Sequence, residues 1–227
     1  MSSKSKRIRK KSSRQWMDRH VNDPYVSRAR QEGYRSRAAY KLLELNTAER
    51  LIRPGMTVVE LGAAPGAWSQ VLSSLVLGSN QKAGRVIALD MIEMDAVPGV
   101  EFLLGDFHEQ VVLEQLEGVL AGARVDLVVS DMAPNLSGVA ASDTARMSHL
   151  VELALEFACA NLTDAGALLV KSFHGSGFSQ QVQEFKSAFV QVRERKPAAS
   201  RSESAETYII GRQLKARRTP GETDASE

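Results

Sequence analysis

Six short apolar runs, spaced by stretches of helical periodicity, constrain this chain more than any other feature. Thr57–Leu61, Arg85–Asp90, Val100–Leu104, Val125–Asp131, Ala167–Lys171 and Thr207–Gly211 have the length and β-branched content of buried strands. Between them the pattern predicts helices over Ser36–Asn46, Ala67–Leu77, Glu109–Leu120, Thr144–Leu162 and Gly177–Val190. The fourth helix sets Met147, Leu150, Val151, Ala154, Ala158 and Leu162 at helical spacing, with Glu152 and Glu156 elsewhere on the wheel. Strands alternating with helices imply a doubly wound α/β fold: a mostly parallel central sheet with helices on both faces.

With 227 residues, 43% of them apolar and 25% charged, the chain is globular and fits one domain with tails. The single cysteine, Cys159, excludes a disulfide framework and a cysteine-based zinc site, and it reads as packing on its helix. His20, His108, His149 and His174 have no metal-ligand spacing and read as surface groups or neighbours of site residues, so no metal is expected. No run approaches 18 apolar residues, and the charged N-terminus lacks an apolar signal region, so no membrane contact and a cytoplasmic location are expected. The small net charge of +2 conceals blocks of opposite sign. Residues 1–50 carry 14 basic against 5 acidic side chains, residues 51–170 carry 5 against 15, and the remainder 10 against 7. A polyanion suits the basic front, and a cation or a hydroxyl-rich small molecule suits the acidic body. The organisation expected is a flexible basic arm over 1–20 suited to a polyanion, a domain over 21–212 and a polar tail over 213–227.

In a doubly wound sheet, ligands sit beyond the carboxyl ends of the strands. This sequence places a Gly62–Gly66 loop after the first strand, Asp90 at the end of the second, Asp106 past the third, Asp131 at the fourth and Lys171 at the fifth. The loop, Gly-Ala-Ala-Pro-Gly, is not the dinucleotide fingerprint, because Ala64 stands at its second glycine and Pro65 intrudes. Taken singly, it is only a tight turn, and each acid could be a surface or capping carboxylate. Together they favour S-adenosyl-L-methionine over a nicotinamide cofactor. Asp90 would accept from the ribose hydroxyls, Asp106 from an adenine amino group, and the acidic body suits a sulfonium. Asp131 and Lys171 end strands expected to be neighbours, about 4.8 Å apart. Lys171 is then a salt-bridge anchor or a base. A second lysine nearby would favour the base, since like charge and desolvation lower a lysine pKa towards about 7–8 in tuned enzyme sites.

Several motifs carry a resemblance. Ser36–Leu42 (SRAAYKL), Leu61–Gln70 (LGAAPGAWSQ), Gly105–Phe107 (GDF), Ser130–Gly138 (SDMAPNLSG), Val170-Lys171, Lys196-Pro197 and Ser204–Tyr208 (SAETY) stand in the order found in FtsJ-type RNA ribose 2′-O-methyltransferases. The likeness runs from about Arg30 to Arg212. It implies a Rossmann-like class I S-adenosylmethionine-dependent methyltransferase fold and a Lys-Asp-Lys-Glu tetrad, matched here by Lys41, Asp131, Lys171 and Glu206. Cofactor positions fall on Gly66, Trp68, Asp90, Asp106 and Asp131. Ala67 and Glu60 depart from the family's more common glycine and aspartate, and neither removes a side chain the chemistry needs. The implied substrate is a uridine ribose in 23S rRNA of the large ribosomal subunit, and the protein is expected to be a monomer.

In that reading Lys41 is the second positive charge beside Lys171, with Asp131 and Glu206 orienting the pair. Arg28, Arg30, Arg35 and Arg37 are expected to contact phosphates, Tyr34 and Phe173 are candidates for base stacking, and Met132–Asp143 is a candidate lid. Transfer RNA or a messenger cap as substrate, a ribosome-assembly factor with a vestigial site, and more distantly a dehydrogenase remain the rivals.

Overall fold

The computed structural model describes residues 23–78, 84–135, 137–202 and 204–215. The expected arm over 1–20 and most of the expected tail lie outside them.

Seven strands form one sheet: β1 (Thr57–Leu61), β2 (Arg85–Asp90), β3 (Val100–Leu104), β4 (Val125–Ser130), β5 (Leu162–Phe173), β6 (Phe189–Arg195) and β7 (Glu206–Leu214). Their order is β3-β2-β1-β4-β5-β7-β6, parallel from β3 to β5 with β7 antiparallel to both neighbours. Six helices accompany them among the described residues: α1 (Pro24–Gln31), α2 (Ala38–Glu49), α3 (Ala67–Leu77), α4 (Gln110–Leu120), α5 (Ala140–Asn161) and α6 (Phe178–Ala188).

Alternation along the strands divides the core into two layers. Val59, Ile87, Val128, Leu168 and Ile209 face α4, α5 and α6, while Val58, Val86, Val129, Leu169 and Ile210 face α2 and α3. Strand order reverses direction at β1 and β4, which pair with each other while their connections leave on opposite sides. That leaves a crevice between their carboxyl ends, the place where such sheets take ligands.

The first three strands and α3 match the expected bounds. Two elements were not anticipated. Helix α1 starts at Pro24, with the Asp23 side chain accepting from the Tyr25 amide at 3.0 Å. Strand β6 replaces the end of the helix expected to reach Val190: α6 stops at Ala188, and Phe189, fully buried, turns inward to start the strand. The last strand runs through Leu214, past the domain boundary expected at 212. Helix α5 begins at Ala140, so the expected loop Met132–Asp143 ends four residues early. There Asp143 gathers the Ser137 amide and hydroxyl, each at 2.7 Å, and the Gly138 amide at 3.0 Å.

Candidate active site

The carboxyl ends of β1 to β4 open on a cavity of about 430 Å³ lined by Gly62, Ala64, Asp90, Asp106, Asp131 and Met132 among others. Gly62 adopts φ +80°, and a Cβ there would come within 2.8 Å of Met132, so only glycine lets the loop after β1 lie against the one after β4. Asp90 holds this loop by accepting the Ala64 amide through Oδ2 and the Ile92 amide through Oδ1, each at 2.8 Å. Asp106 accepts the His108 amide at 3.0 Å and meets the His108 ring at 2.7 Å; these bonds hold its carboxyl below the ordinary aspartate range.

Gly66 and Trp68, expected at the cofactor, do not line the cavity. Gly66 donates to the Ala63 carbonyl at 2.6 Å and N-caps α3. Trp68 is buried between α2 and the sheet, with its indole N–H on the Ala38 carbonyl at 2.8 Å and its ring 5.9 Å from that of Tyr208. Trp68 in the first turn of α3 thus points at α2, and Gly62 and Ala64 line the cavity instead.

The expected tetrad assembles beside this cavity, and Asp131 belongs to both. Ser130 pairs with Val170 in the β4–β5 ladder, so the next residues, Asp131 and Lys171, emerge together. Lys171 Nζ lies 3.1 Å from Asp131 Oδ1 and also donates to the Asp131 carbonyl. Lys41, in the first turn of α2, lies 2.7 Å from Glu206 Oε2, while Ser200 Oγ donates to Glu206 Oε1 at 2.7 Å. Lys171 is buried and the Lys41–Glu206 pair nearly so. Each lysine therefore has its own carboxylate, and ion pairs this dry are held by geometry as much as by charge.

Sequence reasoning missed two members. Tyr208, opposite Lys171 in the β5–β7 ladder, is fully buried and donates to Asp131 Oδ1 at 2.8 Å. Burial, then the charges of Asp131 and Glu206, push its phenol well above 10. Period-2 alternation from Glu206 was the available signal, since it places both on one face. Glu60, on β1, is buried with Oε2 accepting from Ser69 Oγ at 2.5 Å and Oε1 without a partner. Burial, reinforced by Asp131 and Asp90, pushes its carboxyl up to about 8.

Of the expected phosphate-binding arginines, Arg28 and Arg30 are exposed, and Arg35 and Arg37 are partly buried with partners in the domain. Arg28 pairs with Glu32 at 2.7 Å, and Arg37 pairs with Asp23 and donates to the Ala199 carbonyl. Arg35 donates to the carbonyls of Pro65, Asp95 and Ala96 at 3.0, 2.7 and 2.8 Å, bracing the Gly62–Gly66 loop. Tyr34 packs edge-on against Tyr40, and Phe173 packs against the core. Among the described residues no group of three His, Cys, Asp or Glu side chains is placed to hold a metal ion, and no helix is long and apolar enough to cross a membrane.

The family model for FtsJ-like methyltransferases matches residues 34–214. Ribosomal RNA large subunit methyltransferase E of Bordetella parapertussis is 58% identical over 206 residues, covering 90% of this chain and 98% of that protein. The protein of the same name from Burkholderia mallei is 57% identical over 208 residues, covering 88% and 94%. Among solved structures, one described as a ribosomal RNA methyltransferase from Plasmodium falciparum superposes with a TM-score of 0.71 at 27% identity, over 80% of this chain and 98% of that one.

Proposed function

The chain belongs to the FtsJ-like methyltransferase family, and from that premise we propose that it methylates the ribose 2′-hydroxyl of a uridine in 23S rRNA of the large ribosomal subunit, with S-adenosylmethionine as methyl donor. The observation that carries this reading is the placement of Asp131, which lines the cavity and also holds Lys171.

The residues around the cavity fit that donor. A carboxylate ends β2 and others follow β3 and β4, and this surplus of negative charge suits a cation. When bound, the cofactor supplies an electrophilic methyl carbon on a sulfonium and a neutral thioether leaving group. Asp90, at the end of β2, would hold the ribose diol, and Asp106 the adenine amino group. Lys171 would take the proton that the substrate hydroxyl sheds, and Asp131, 3.1 Å from its amine, would orient it for that transfer. Lys41, held by Glu206, places a second cation beside the reacting oxygen, where it stabilises developing negative charge. Alignment of oxygen and carbon at about 3–3.5 Å supplies much of the rate. A cytoplasmic location follows from a ribosomal substrate.

The test is a single-turnover assay with labelled cofactor on isolated large subunits and on naked 23S rRNA. Label is expected as a 2′-O-methyl ribose in large-subunit RNA. Lys171→Ala is expected to abolish turnover with cofactor binding retained. Normal turnover in that variant would remove Lys171 as the base, and label confined to transfer RNA would redirect the substrate.

A further inference from the structure

Tyr208 links the two lysine–carboxylate pairs. It faces Lys171 across the β5–β7 ladder and shares a sheet face with Glu206, two residues before it on β7. Its hydroxyl reaches Asp131 Oδ1 at 2.8 Å, the same oxygen that lies 3.1 Å from Lys171 Nζ. A phenol has one proton to give, and two carboxylates lie near it. The charged and titratable groups around this hydroxyl are Asp131 from the end of β4, Lys171 from β5, Glu206 on its own strand, Lys41 from α2 and, behind Asp131, Glu60 from β1.

We propose that Tyr208 is a positioning residue for methyl transfer, acting through Asp131. Its hydroxyl fixes the carboxylate that aims Lys171. By donating to Oδ1 it also draws off part of the negative charge that would otherwise keep the proton on the amine. This rests on the reading of Lys171 as the proton acceptor. The role is separable from packing. The Tyr208 ring fills a slot against Trp68 and the apolar residues around Leu169 and Ile210, and a phenylalanine ring fills the same slot. The hydroxyl alone touches the site.

The experiment compares wild type and Tyr208→Phe in single-turnover methylation of large-subunit RNA across pH, with cofactor affinity measured in parallel. Tyr208→Phe is expected to lower the rate by about ten- to a hundredfold, the cost of a misaimed catalytic group. The KM for RNA and the affinity for cofactor should stay within about twofold, since Tyr208 itself does not line the cavity and Asp131 keeps its place beside Lys171. The acidic limb of the rate profile should move to higher pH, because an undivided Asp131 charge holds the lysine proton more firmly. Incorporating 3-fluorotyrosine at position 208 keeps shape and hydroxyl but makes a stronger donor, so it should move that limb to lower pH even if the phenylalanine variant folds poorly. A wild-type rate and profile in both variants overturns the proposal. So does a rate loss that tracks the folded fraction with the limb unmoved. If Lys171→Ala turns over normally, the base assignment falls and this inference with it. If Lys171→Ala is inactive while both Tyr208 variants behave as wild type, this inference falls alone.

Discussion

Glu60 stands where a charge is hardest to keep. Its carboxyl is buried on β1 with Asp90 and Asp131 as its charged neighbours, and one of its oxygens has no partner. Burial, then those neighbours, lift it from 4.5 to about 8. The sign of the consequence follows from linkage. Between those two values the native protein keeps a proton that the unfolded chain has released, so the stabilisation is complete below 4.5 and erodes as pH climbs through 8. The erosion should be of order a few kcal/mol over that window. Glu60→Gln keeps the Ser69 hydrogen bond and removes the titration. Its urea midpoint should therefore depend less on pH than that of wild type and exceed it at the alkaline end. Parallel curves for the two proteins would show that Glu60 does not carry the proton. Neither Glu60 nor Tyr208 was legible as a site member in the sequence. Each owes its role to the neighbours that a strand register and a helix cover bring to it, whereas Asp131 and Lys171 announced themselves as polar residues closing apolar runs.

Elements differ in how openly the chain declares them. Strands β1 and β2 have a strand on either side and read as nearly unbroken apolar runs, which is why their bounds matched. Strand β6 is an edge, and its sequence FVQVRER spends alternate positions on charge, so it blends into the amphipathic helix before it. That edge strand also secures α2, the helix that delivers Lys41. Glu49, buried at the far end of α2, meets Arg195 at 2.6 Å and Arg193 at 3.2 Å from β6, and Arg212 at 3.4 Å from β7. One carboxylate among three guanidinium groups fastens the helix to the antiparallel half of the sheet. Glu49→Ala leaves those three cations facing one another and should cost about 1–2 kcal/mol, less than breaking a fully buried pair because the guanidiniums are 30 to 53% exposed. Chemical denaturation measures the loss, and methylation at a temperature where the variant is fully folded tests whether Lys41 has shifted. A variant of wild-type stability would mean that apolar packing alone holds α2.

At the scale of the whole molecule, charge is segregated along the chain, and the fold changes what that segregation can mean. Of the expected phosphate-binding cluster Arg28, Arg30, Arg35 and Arg37, the last two have loop carbonyls and Asp23 as partners, while Arg28, paired with Glu32, and Arg30 are exposed. Basic charge without acidic neighbours in sequence is concentrated instead in residues 1–16, which hold seven basic side chains and no acid. A large folded RNA must be held so that one ribose reaches the carboxyl edge of the sheet, and contacts to phosphate do this without reading sequence. Each phosphate neutralised releases counterions, so affinity falls with salt at about 0.7 log units per contact on single strands and about 0.9 on duplex. Removing residues 1–16 should therefore weaken binding to large-subunit RNA and flatten its salt dependence, by about five units of slope on single strands and about six on duplex if all seven charges engage. Cofactor affinity should not change, because Asp90, Asp106 and Asp131 all belong to the domain. Binding titrations of the full chain and the truncated chain across a salt series make the comparison. An unchanged slope would assign RNA binding to the folded domain, and a changed cofactor affinity would mean that the arm reaches the cavity.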